Sequence, residues 1–139
     1  MIVVDASALT EFLVSSGALA QKVRERIATE DEIHAPYLID TEVASAVIGM
    51  GKGTRGGRPK LSRGEVDHHL KEFADLPLTR HPALPLTARV GALAANLSVY
   101  DATYVALAEV LGLTLLTTDS RIKRRVGPIA RCDIVDFDT

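Results

Sequence analysis

Five apolar runs, each too short for a helix, alternate with longer amphipathic stretches along this chain. The runs are Ile2-Val3-Val4, Ile33-His34-Ala35, Leu76 to Thr79, Thr114 to Thr117 and Ile134 to Phe137. Their length and their β-branched or aliphatic content mark them as strands. Between them, apolar residues recur at helical spacing: Leu9, Phe12 and Leu13 over 6–14, then Leu19, Val23 and Ile27 after the break at Gly17. Such alternation predicts an α/β fold, a parallel sheet with helices on both faces. Right-handed crossovers leave few topologies for it. No repeat or linker divides the 139 residues, so one domain over 1–139 is expected.

The other helices have local signals. Leu38, Val43, Val47 and Met50 place one over 37–50, closed by Gly49, Gly51 and Gly53. The stretch Gly51-Lys-Gly-Thr-Arg-Gly-Gly-Arg-Pro-Lys60 reads as a basic loop. Ser62 with Glu65 forms a capping box for a helix to Ala74. Pro82 and Pro85 precede a helix over 86–95. Ser98 caps another over 99–111, which Gly112 ends. A short basic helix follows over 120–126.

Composition narrows the function. The net charge of -2 gives no general affinity for polyanions, so an anionic partner must be held locally. Cys132 is the sole cysteine, which excludes an internal disulfide and suits a reducing compartment. It reads as a small buried apolar group. Asp5 interrupts the N-terminal apolar run, and no stretch approaches the ~20 residues that span a membrane. A cytoplasmic location and no membrane contact are expected.

Asp5 closes the first strand and Asp119 the fourth. Glu42 and Asp101 lie near the starts of two mostly apolar helices. Each has a structural reading alone: Asp5 and Asp119 as caps or turn residues, Glu42 as a partner of a helix dipole, Asp101 as part of a Ser98 capping box. Gathered at one sheet edge, the four would form a hard oxygen site suited to Mg²⁺ or Mn²⁺. In an open α/β sheet, functional groups collect beyond the carboxyl ends of strands. Ser7, two residues after Asp5, and Thr117, two before Asp119, could orient carboxylates. Lys52, Arg55, Arg58 and Lys60, and the cluster Arg121, Lys123, Arg124 and Arg125, are candidate phosphate contacts. The histidines 34, 68, 69 and 81 show no ligand spacing. His68 and His69, being adjacent on a helix, are expected to face different ways.

The ordered set Val3-Val-Asp5-Ala-Ser7, Pro36-Tyr-Leu-Ile-Asp-Thr-Glu42-Val-Ala-Ser-Ala, Tyr100-Asp101-Ala-Thr-Tyr-Val-Ala-Leu-Ala-Glu109 and Leu115-Leu-Thr117-Thr-Asp119-Ser-Arg121 resembles the PIN-domain ribonucleases. Within them it is most similar to the VapC toxins of bacterial toxin–antitoxin pairs. The resemblance spans about residues 1–137. It implies a three-layer sandwich around a five-stranded parallel sheet of order 3-2-1-4-5, which makes Asp5 and Asp119 neighbours. It implies a Mg²⁺- or Mn²⁺-dependent endoribonuclease acting on tRNA, rRNA or mRNA to inhibit translation. Asp5, Glu42, Asp101 and Asp119 would be its catalytic and metal-binding acids, supported by Ser7 and Thr117. A homodimer and an inhibiting VapB-like antitoxin are also implied. The basic loop matches no fixed motif of the family, so an RNA-binding role for Arg55, Arg58 and Lys60, and for Arg121 and Arg124, rests on charge alone.

Other readings of this sequence are a PIN nuclease of RNA maturation and a catalytically inactive RNA-binding module. A phosphoacceptor receiver domain shares the layers but needs an Asp after the third strand and a Lys after the fifth. Those places hold Thr79-Arg80-His81 and Asp136-Phe137.

Overall fold

A computed structural model of the chain describes residues 1–53 and 57–137. Its elements run β1 (Ile2–Val4), α1 (Ala6–Val14), α2 (Ala18–Ala28), β2 (Ile33–Pro36), α3 (Leu38–Lys52), α4 (Arg63–Asp75) and β3 (Leu78–His81). A 3-10 turn at Leu84–Leu86 leads into α5 (Thr87–Leu93), α6 (Val99–Leu111), β4 (Leu115–Leu116), α7 (Ser120–Val126) and β5 (Ile134–Val135). All four strand pairings are parallel, and the sheet order is β3-β2-β1-β4-β5, as expected.

This order has one reversal. From β1 the chain adds strands on one side through β2 and β3, then returns to the other side of β1 for β4 and β5. Right-handed crossovers therefore send α1–α4 to one face and α5–α7 to the other. The packing agrees: α1 touches α2, α3 and α4, while α6 lies against α5 and strands β1, β2 and β4. The switch point lies between β1 and β4, where Val4 pairs with Leu116.

Ile2, Val3, Val4, Leu115 and Leu116 are wholly buried, and α6 is buried continuously from Ala102 to Ala108. A strand covered on both faces must be apolar throughout rather than alternating, as these are. Each fully buried aliphatic side chain contributes roughly 1.5–3 kcal/mol.

Several boundaries differ from expectation. Helix α3 does not stop at its first glycines but continues to Lys52. A Cβ on Gly51 would stand 2.6 Å from Val66 Cγ2, so this glycine permits close approach of α4 instead of breaking the helix. The stop is Gly53, in the left-handed region at φ 73°. Strand β3 starts two residues later than the sequence reading, because Leu76 still caps α4 through its N–H to Phe73 and Pro77 has no N–H to give. Strand β2 runs one residue beyond the apolar run, with Pro36 paired in register with His81. The fourth and fifth strands shrink to two residues each. The capping box at Ser62–Glu65 and the Ser98 cap form as read. Arg55 lies outside the described residues.

Candidate active site

The site begins where β1 ends. Asp5 leaves the strand in extended conformation and caps α1, its Oδ1 accepting from the Ala8 N–H at 2.9 Å and the Ser7 hydroxyl at 2.7 Å. Its other oxygen accepts from the Thr117 hydroxyl, just beyond β4. Ser7 in turn lies 3.2 Å from Thr117 Oγ1 and accepts from the Thr118 N–H. Thr117 Oγ1 accepts from the Asp119 N–H at 3.0 Å. Both residues singled out as supports are therefore built into the junction of β1 and β4. Burial pushes the Asp5 carboxyl up to about 6, against the lowering effect of these hydrogen bonds.

Asp119 caps α7, accepting from the Arg121 N–H at 3.0 Å. The Arg121 guanidinium also grips it with two bonds, 2.9 Å to Oδ1 and 2.8 Å to Oδ2, which holds the Asp119 carboxyl below its ordinary range. Asp101 sits in the first turn of α6 and is raised by burial and by the charge of Asp119. The Asp101 charge also bears on Asp5. Glu42 joins through Tyr104, whose hydroxyl donates to Glu42 Oε1 at 2.6 Å. The negative charges of Glu42, Asp5 and Asp101 all act on that phenol, which burial, first, raises well above its usual range. The fold thus brings Asp5, Glu42, Asp101 and Asp119 to one edge, at the switch point of the sheet.

The model of the PIN domain matches residues 2–127. The chain belongs to the PIN-domain family. Ribonuclease VapC3 of Mycobacterium tuberculosis is 41% identical over 123 residues, 88% of this chain and 85% of its own. Ribonuclease VapC9 of the same organism is 39% identical over 122 residues, 88% of each chain. Among solved structures, a chain of a toxin–antitoxin complex from Klebsiella pneumoniae matches with a TM-score of 0.65 at 16% identity, covering 97% of this chain and 96% of that one. At that identity it shows the shared fold alone.

Other residues of the PIN domain fall differently from expectation. Arg121, read as a phosphate contact, pairs with both oxygens of Asp119 while its side chain stays 62% exposed. Arg124, Arg58 and Lys60 are exposed, Arg124 on α7 and the other two between α3 and α4. His68 and His69 do not face apart: both rings reach Glu72 Oε1 at 3.0 Å, since Glu72 is four residues from one and three from the other. Among the described residues, they are the one group of three His, Cys, Asp or Glu whose ligand atoms lie within 4.8 Å of one another. The group lies on α4, apart from the carboxylate edge. His34 joins His81 at 2.9 Å across β2 and β3, with Glu32 on its other nitrogen at 3.0 Å. Asp40, two residues before Glu42 on α3, points away from it as helical spacing requires and pairs with Arg80 at 2.8 Å. Cys132 is half-buried, and burial pushes its thiol up to about 11, so it stays an inert thiol.

The donor set at the acidic edge suits a hard divalent cation by chemistry, while among the described residues no three of its carboxylates bring ligand oxygens within 4.8 Å of one another and Arg121 occupies both oxygens of Asp119. All four groups are carboxylates, and Asp5 and Asp101 are both raised, as acids crowded away from water and near like charge must be. A divalent cation relieves that condition. Tyr104 is the residue that sequence reading overlooked. Its signal was present: it is three positions after Asp101, on the same face of α6.

Proposed function

We propose that this chain is the toxin of a VapBC-type toxin–antitoxin pair, an endoribonuclease that cuts single-stranded or looped RNA and so inhibits translation in the cytoplasm. The observation that carries this reading is the hydrogen-bond network that ties Asp5 at the end of β1 to Thr117 and Asp119 at the end of β4, with Glu42 joined to it from α3 through Tyr104 of α6, in a chain similar to VapC ribonucleases over 88% of its length. An acidic edge fits phosphodiester hydrolysis and leaves the RNA-maturation and inactive readings without a specific observation in their favour.

Asp5, Glu42, Asp101 and Asp119 would hold Mg²⁺ or Mn²⁺. A bound ion there would lower the pKa of a water and shield the charge on the attacked phosphate. The chain's own residues do the positioning. Ser7 and Thr117 fix both oxygens of Asp5, and Tyr104 fixes Glu42, so two of the acids meet their ligand already oriented. Arg124, Arg58 and Lys60 offer charge for the RNA backbone outside the acidic edge. A VapB-like antitoxin and a homodimer complete the proposed assembly, and no helix among the described residues is long and apolar enough to cross a membrane.

Incubating the purified protein with a mixed RNA pool tests this reading. Cleavage is expected with Mg²⁺ or Mn²⁺ and none with EDTA. Cleavage at full rate after chelation and dialysis would reject the metal site, and no cleavage with either ion would reject the nuclease.

A further inference from the structure

The edge that carries Glu42 opens onto a cavity whose far wall the carboxylates do not need. The cavity measures about 360 Å³ and is lined by Leu38, Thr41, Glu42, Ser45, Ala46 and Tyr100. Tyr100, immediately before Asp101, is 59% exposed. Of the three tyrosines in the chain, Tyr104 is buried against Glu42 and Tyr37 is exposed outside this cavity. A second cavity of about 360 Å³ shares Ser45 and Ala46 and continues past Met50 to Arg58 and Lys60. Positions 38, 41, 42, 45, 46, 49 and 50 recur at three and four, so they share one face of α3. A groove therefore follows this face for roughly 12 Å from Glu42 to Met50, at ~1.5 Å per residue. A carboxylate and an exposed ring stand at one end, and two cations at the other.

We propose that Tyr100 is a base-stacking platform and that the cavity between α3 and α6 accepts one unpaired nucleobase of RNA. The adjoining backbone then runs along α3 toward Arg58 and Lys60. This rests on the ribonuclease reading and deepens it by naming where the substrate is read.

Charge decides what enters the near end. Glu42 repels a phosphate there but not a neutral base, and the hydroxyls of Thr41 and Ser45 can donate to or accept from a base edge. An aromatic ring with this exposure offers stacking to any base, because every base has a π-face. A paired base inside a duplex cannot reach such a wall, so the pocket selects single strands or loops. At the far end Arg58 and Lys60 match a polyanion and not an apolar protein segment.

The test uses the full-length protein in EDTA, so that binding is read without cleavage. A short single-stranded RNA carrying 2-aminopurine reports stacking by quenching and binding by anisotropy. Wild type is expected to bind and quench, with a duplex of the same sequence competing poorly. Tyr100→Phe should keep both signals. Tyr100→Ala should lose the quench and weaken binding roughly 5- to 150-fold. Tyr37→Ala, equally exposed but outside the cavity, should bind like wild type. Circular dichroism melts establish that each variant folds. Tyr100→Ala binding as tightly as wild type, or weakening no more than Tyr37→Ala, overturns the platform and leaves the cavity to a protein segment. RNA cleavage by wild type with Mg²⁺ in parallel separates the two levels: cleavage with unchanged Tyr100→Ala binding rejects the platform alone, whereas neither cleavage nor binding rejects the ribonuclease reading as well.

Discussion

The Tyr104 hydroxyl donates to Glu42 Oε1 at 2.6 Å and so joins α6 to α3 at the acidic edge. Burial and the Glu42 charge raise this phenol far enough that it remains a neutral donor at any working pH. Tyr104→Phe removes only the donor. Cleavage is expected to fall about 10- to 100-fold, the usual loss for a residue that orients a ligand. Stability should drop by about 1–2 kcal/mol, since Glu42 keeps access to water. Single-turnover rates and urea melts check both, and an unchanged rate would remove Glu42 orientation from the mechanism.

Asp5→Asn and Asp119→Asn are each expected to abolish nearly all cleavage, and Asp40→Asn to leave it intact. Asp40 shares a helix with Glu42 but spends its carboxylate on Arg80, at 2.8 and 3.0 Å from the guanidinium Nε. That pair is partly exposed and contributes at most about 1 kcal/mol. Comparable losses of activity in all three variants would mean that the wrong carboxylates had been chosen.

Asp5 also makes a pH prediction. Burial penalises its charge and pushes the folded carboxyl up to about 6 from its ordinary value of 3.8. Between about pH 4 and 6 the folded chain holds a proton that the unfolded chain has released. In metal-free buffer this group therefore lowers stability as pH rises through that window, by up to about 3 kcal/mol. Asp5→Asn should flatten the corresponding part of the profile. Denaturant melts at pH 4, 5, 6 and 7 measure it, and identical slopes in the two proteins would contradict it.

Asp101→Asn tests crowding directly. The cap of α6 is Ser98, whose hydroxyl accepts from the Asp101 N–H at 3.1 Å, so the Asp101 carboxylate is not what caps the helix. Removing its charge eases the repulsion with Asp119 and Asp5. The inactive variant should then melt at or above wild type in EDTA. Mg²⁺ should raise the wild-type melting temperature more than the variant's, because a ligand bound only by the folded state stabilises it. A variant less stable in EDTA, with an equal metal shift, would reject the clustered site.

Arg58→Gln with Lys60→Gln should reduce the salt dependence of single-stranded RNA binding. Two lost phosphate contacts lower the log–log slope by about 1.4. An unchanged slope would return these side chains to solvent.

How much of this could be read from the chain depends on whether a property is local. Ile2-Val3-Val4 followed by Asp5, Ser62 followed three later by Glu65, and Ser98 before α6 carry their structure within a few residues, and each formed as read. Contacts between distant segments were hidden. Gly51 reads as a breaker until Val66 is known to pack against it. Even the short-range pair of Arg121 with Asp119 was hidden, because two residues of backbone do not reveal that this exposed side chain curls back onto its neighbour. The β1–β4 pairing that joins Asp5 to Thr117 came from family resemblance, since no spacing encodes it.

Tyr100 and Asp101 are adjacent in sequence but differ in how freely they can be replaced. Asp101 opens a helix that is packed without interruption from Ala102 to Ala108, so its carboxylate has a fixed mount. Tyr100, one residue and about 100° around the same helix, faces solvent. A substitution at 100 leaves the packed interior untouched, while one at 102 opens or overfills it. Closely related chains can therefore exchange the residue at 100 with little cost to folding, and a change of RNA preference need not pass through an unstable or inactive intermediate.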